Sequence, residues 1–212
     1  GRKDLVSLAK ARAAAPESDW DTTEIRRPEV LGLQHFAEVP LDLLATYIDW
    51  SPFFWAWQLH GIYPTIFNKP KQGKEARKLF DDGRAILDDI IKNKRLRPRA
   101  VAGFWPANSI GEDVEVYVDE NRTRTISQFH FLRQQRHKRE GQICRSLADY
   151  VAPKDCGRID YIGGFVVSSG DEVDALAATF RDDGDDYSAI IVQALGDRLA
   201  EATAEEAAAE QA

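Results

Sequence analysis

The segment TYIDWSPFFWAWQLHG, Thr46 to Gly61, holds three of the chain's five tryptophans and two of its ten phenylalanines around a single carboxylate, Asp49. So much aromatic surface in sixteen residues must be packed, so the rest of the chain has to build a core or a cleft around it. Ser51 followed by Pro52 is a helix-start signal, because a Ser oxygen caps orphan N–H groups and Pro fits the first turn. Gly61 is a natural stop. Phe53, Phe54, Trp57 and Leu59 cover more than one face of the helix between them, which predicts a helix buried on several sides or lining a pocket. Asp49 precedes it. Spacing leaves two roles open for that carboxylate: a cap for the helix, or an acceptor for a cation in an apolar cleft.

Pro40 with Leu41, Leu44, Ala45 and Ile48 predicts a helix running into Asp49. The strongest amphipathic pattern follows: Ala76, Leu79, Phe80, Gly83, Ile86, Leu87, Ile90 and Ile91 repeat at three and four, with charged residues opposite. Residues 20–38 read as irregular extended chain, and IYPTIFNKPKQG as a surface connection. Arg99 to Trp105 and Asp113 to Val118 read as strands joined through PANSIGED, with further strands at Thr125 to Phe131 and Asp160 to Ser168. Helices from Asp171 and from about Asp186 finish the chain. The expected class is α+β, a small, mostly antiparallel twisted sheet flanked by helices, with 1–19 an arm or linker and 20–212 the domain proper.

A net charge of −7 argues against a general nucleic-acid binder. No apolar run approaches a membrane span, and two cysteines without metal-ligand spacing suit a reducing compartment, so a soluble cytoplasmic protein is expected. Gly1 in place of Met, in a chain with no Met at all, reads as a piece of a longer protein. No GxGxxG, phosphate loop, nucleophile elbow or paired histidine is present, which leaves hydrolytic, dinucleotide and metal chemistry without a motif. Two charged features remain. Asp197 and Glu201 share a face of the last helix, either as a solvated acidic surface or as a cation site. Arg133, Arg136, Lys138, Arg139 and Arg145 form the one basic run, either solvated or docked on an acidic partner.

Taken together, YIDWSPFFWAWQLHGIYP, GFWPANSIGEDVEVYVDE, FLRQQ, SLADYVAP, DYIGGFVV and DDYSAIIVQALGDRLAEA, in that order across roughly residues 25–205, resemble the reactivation domain of cobalamin-dependent methionine synthase. The resemblance implies an α+β domain that binds S-adenosylmethionine and docks on a cobalamin-binding domain. There, one electron from a flavodoxin-type donor and the methyl group of S-adenosylmethionine return cob(II)alamin to methylcobalamin. It also implies that Asp49 in YIDW and Glu201 in DRLAE are acidic ligands of S-adenosylmethionine, with Asp197 in support and cobalamin held by the partner domain. The family continues into a segment carrying an Arg and a Gly-Tyr pair that complete the pocket. No Gly-Tyr pair occurs here, so an open half-site around Trp50, Phe53 and Trp57 is expected. The alternative is a non-catalytic docking module for a cobalamin domain or flavodoxin.

Overall fold

The computed structural model describes residues 5–136 and 143–209. In chain order the elements are α1 (Leu8–Ala13), β1 (Gly32–Phe36), α2 (Leu41–Tyr47), α3 (Trp50–Trp55), α4 (Gly73–Lys92), β2 (Arg99–Ile110), β3 (Asp113–Tyr117), β4 (Thr125–His130), β5 (Asp160–Ser168), α5 (Glu172–Asp182) and α6 (Asp186–Ala209). The class is the expected α+β. The sheet runs β1–β2–β3–β4, with β5 also paired to β2. The chain forms two compact units, Gly1–Gly32 with Gly103–Gly164, and Leu33–Ala102 with Phe165–Ala212. Strands β2 and β5 pass from one into the other. Among the described residues no helix is long and apolar enough to cross a membrane.

In the first unit β2 is longer than its sequence suggests. PANSIGED is not a loop: Ala107 to Ile110 pair antiparallel with Val116 to Asp113, and only Gly111 and Glu112 turn the chain. Gly111 has φ +64°, the conformation a two-residue hairpin requires at that point. The residues that mimic a turn have other work. Asn108 Nδ2 donates to the carbonyls of Ala152 (2.9 Å) and Arg158 (2.8 Å), and Ser109 Oγ donates to that of Val151 (2.8 Å). They satisfy backbone carbonyls on either side of the short 3-10 turn Lys154–Cys156, which lie outside any strand or α-helix. Strand β4 continues the sheet from Asp113↔His130 to Tyr117↔Thr125. The arm expected at the N-terminus contributes α1, whose Ala11 is fully buried.

The second unit holds the main core. Leu41, Leu44 and Ile48 from α2 and its end, Trp50, Phe53 and Phe54 from α3, Leu79, Leu87 and Ile90 from α4, and Ile191, Leu195 and Leu199 from α6 form one buried cluster. Each large apolar side chain buried there contributes about 1.5–3 kcal/mol relative to exposure. The α4 stripe is the predicted one, and its role is packing. The connection at IYPTIFNKPKQG is more structured than expected: Thr65–Asn68 form a 3-10 turn with Ile66 fully buried. Residues 32–36, read as irregular, form β1.

Helix α3 stops at Trp55, six residues short of Gly61. Gln58 takes φ +57°, its N–H donates to the Trp55 carbonyl (2.9 Å), and the Leu59 N–H donates to that of Phe54 (3.2 Å). This is a Schellman cap with Gln at the left-handed position, locked by burial of Leu59 with Phe54. Lys94, at φ +47°, closes α4 in the same way through Ile91 and Ile90. Sequence rules that expect Gly at such positions miss both ends.

Candidate functional site

Asp49 lies where α2 gives way to α3. Pro52 has no N–H to offer the Ile48 carbonyl, so one helix cannot run through this point. Ile48 and Asp49 are extended instead, with ψ 115° and 112°, and α3 restarts at Trp50. The cap is Asp49, not the expected Ser51: its Oδ1 accepts the Ser51 N–H at 2.8 Å. Ser51 Oγ instead accepts the Tyr63 N–H (3.1 Å). The capping role weighed from spacing is therefore present, and the carboxylate is still exposed to solvent.

The aromatic residues that follow do not wall an open cleft. Trp50, Phe53 and Phe54 are 6%, 1% and 0% exposed. Trp50 meets Phe53 and Phe80 edge-on at 5.2 and 4.8 Å, and Phe53 meets Trp57 at 5.5 Å. Their π-faces are spent on one another, which gains about 0.5–1.5 kcal/mol per pair beyond burial. The open half-site expected around Trp50, Phe53 and Trp57 is thus corrected: Trp50 and Phe53 are buried in the core, and the partly buried Trp57 packs on Phe53.

Glu201 is exposed on α6, between Leu199 and Ala202, both buried. Helix α6 packs against α2 and α3. Leu199 and Ala202 share one cluster with Ile48 and Trp50, the neighbours of Asp49. Both carboxylates therefore emerge at the margin of the same core, although some 150 residues of chain separate them. Asp197 is exposed one turn earlier. Arg198, a quarter turn from Asp197 by sequence geometry, reaches forward instead: its Nη1 donates to Glu201 Oε2. The i, i+3 spacing of the two residues on the helix allows this contact.

Gly196 lies inside α6, where Gly is intrinsically unfavourable, and has a packing reason. A Cβ there would lie 2.8 Å from Val173 Cγ1 and 3.1 Å from its Cγ2. Helix α5 approaches α6 that closely only because the position is Gly.

The basic run divides on inspection. Arg133 is no surface cation: its side chain is 4% exposed and holds Glu112 (2.9 Å) and Asp149 (2.6 Å), and it donates to the Cys144 carbonyl (2.7 Å). Arg12 adds a second guanidinium on Glu112 at 2.7 Å. Hydrogen bonds from Arg12 and then Arg133 hold the Glu112 carboxyl down at about 2, against the pull of burial. Burial works to raise Asp149, and the Arg133 guanidinium with the Ser146 N–H overcomes it, so that carboxyl is also lowered. Arg145 donates to Tyr150 Oη (2.8 Å), and Arg136 is exposed. Lys138 and Arg139 lie outside the described residues. Arg133 is therefore not available to a docking face, while Arg136 is exposed.

Residues 40–211 match the family model described as "Vitamin B12 dependent methionine synthase, activation domain". A crystal structure of the MetH reactivation domain bound to AdoHcy is 46% identical in sequence and superposes with a TM-score of 0.89, covering 96% of this chain and 62% of that one. The present chain thus spans somewhat less than two thirds of that relative's length. The YIDW–PFF turn, the β2–β3 hairpin through PANSIGED and the terminal α6 all fall within the matched range. On fold, sequence and coverage together, the chain belongs to the family of activation domains of vitamin B12-dependent methionine synthase.

Proposed function

We propose that this chain is the part of a methionine synthase reactivation domain that presents carboxylates to S-adenosylmethionine, for the reductive methylation of cob(II)alamin held by a cobalamin-binding domain. The whole enzyme is a homocysteine methyltransferase, and this chain serves it by positioning. S-adenosylmethionine supplies the methyl group, a flavodoxin-type donor supplies one electron, and the products are methylcobalamin and S-adenosylhomocysteine. The setting is the cytoplasm, where Cys144 and Cys156 stay as free thiols.

The observation that carries the reading is the placement of Asp49 and Glu201 at the margin of one rigid core, on elements that pack together. The ligand has an ammonium and a sulfonium, and carboxylates are the side chains that bind such groups through charge-assisted hydrogen bonds. The donor set suits it, since both carboxylates are exposed and so can be reached. Rigid mounting matters because a methyl transfer depends on orientation rather than on an acid or a base.

The test is isothermal titration of S-adenosylmethionine into the full-length native protein and into its Asp49→Asn and Glu201→Gln variants. Each substitution is expected to weaken binding by at least about tenfold, the loss of one charge-assisted bond. Unaltered affinity in both variants would overturn the assignment.

A further inference from the structure

We propose that Arg198 is the positioning residue for Glu201: it holds Oε2, so that the other carboxylate oxygen is presented to the cationic part of S-adenosylmethionine. The inference rests on the ligand role of Glu201 argued above. Arg198 and Glu201 differ in a telling way. The Arg198 side chain is 18% exposed and that of Glu201 is 52% exposed. The guanidinium is thus carried on a stem laid against the protein, while the carboxylate stands in solvent and is fixed by the contact with Arg198 Nη1. A free Glu samples many rotamers, and binding has to stop that motion. Fixing it beforehand lowers the cost of association. A guanidinium suits the task, because it is planar, always charged and directional. A surface pair at i, i+3 adds little to stability, so an effect on ligand binding would stand out from an effect on folding.

The experiment is a double-mutant cycle in the full-length native protein, with Arg198→Ala, Glu201→Gln, the double variant, and Arg198→Lys as the conservative replacement. S-adenosylmethionine affinity is read by isothermal titration and folding by thermal melt. Arg198→Ala is expected to weaken binding about tenfold with little change in melting temperature, Arg198→Lys to recover part of the loss, and the double variant to bind no more weakly than Glu201→Gln alone. Wild-type or tighter binding by Arg198→Ala, or losses that add in the double variant, would overturn the positioning role and leave Glu201 as a ligand. Wild-type binding by Glu201→Gln would overturn the site reading itself, and Arg198 would have nothing to position.

Discussion

Asp49 can be asked two questions with two substitutions, because the cap and the ligand role use different properties of the carboxylate. The cap needs an acceptor oxygen at the Ser51 N–H, 2.8 Å away. Asn supplies one as well as Asp does, and Ala supplies none. Asp49→Ala should therefore cost about 1 kcal/mol of stability, the usual loss of an N-cap. For a domain of this size that lowers the melting temperature by about 2–4 °C. Asp49→Asn keeps the bond and loses only the attraction of a negative charge to the helix start, about 0.3 kcal/mol at an exposed site. Binding should sort the other way. A cationic ligand loses a charge-assisted bond in either variant, so both should fall about 10- to 100-fold in S-adenosylmethionine affinity. Thermal melts and isothermal titration on the same three proteins give both axes. If Asp49→Asn binds like wild type, Asp49 is a helix cap and nothing more. If it melts as low as Asp49→Ala, the bond to Ser51 is not what the carboxylate contributes.

Arg133→Met should cost about 3–5 kcal/mol in urea melts, since it leaves the partly buried Asp149 without its cation and Glu112 with Arg12 alone, and a loss under about 1 kcal/mol would contradict the network. Glu112 falls from an ordinary 4.5 to about 2 in the fold, so its contribution is complete above pH 4.5 and is lost as pH drops through 2. Arg12→Ala should bring that acid limb to higher pH, which an acid titration followed by circular dichroism reads directly. Gly196→Ala sets a helix-propensity gain of about 1 kcal/mol against about 1–3 kcal/mol of overpacking on Val173. In a Val173→Ala background the clash is gone and the same change should stabilise by about 1 kcal/mol, so additive effects in the two backgrounds would refute the contact. Lys94→Gly should raise stability by about 0.5–1 kcal/mol by relieving the left-handed backbone at φ +47°.

What the sequence disclosed, and what it hid, follows from the range of the interaction involved. The α4 stripe and the strands at 113–117 and 160–168 rest on periodicity within a single element, and they stand where the residue pattern places them. The end of α3 did not, because Gln58 is held left-handed by where Leu59 must be buried, and that is a tertiary demand on a residue with no local preference for it. PANSIGED failed for the same reason: Pro, Asn, Ser and Gly are turn formers locally, yet Asn108 and Ser109 are committed to carbonyls more than forty residues away. The ion network was invisible on spacing. Arg133 finds Glu112 and Asp149 at separations of 21 and 16 residues, and Arg12 finds Glu112 across 100, so a buried cation looked like one member of a solvated basic run.

The candidate site sits between these extremes. Asp49 was singled out as the one carboxylate among aromatic residues, and its cap is a local bond that sequence rules anticipate. The sequence left its aromatic residues either buried on several sides or lining a pocket, because aromatic composition does not say which face of a ring is already covered. Trp50, Phe53 and Phe54 are packed edge to face within the core, so any cation that Asp49 receives meets a carboxylate on a rigid mount and gets no cation–π help from those three rings. In the proposed site, recognition would depend on oxygen atoms held in place, Asp49 by its own helix cap and Glu201 by Arg198. Both are held by short-range contacts whose removal leaves the core intact, and for that reason binding and folding can be separated by experiment at each of them.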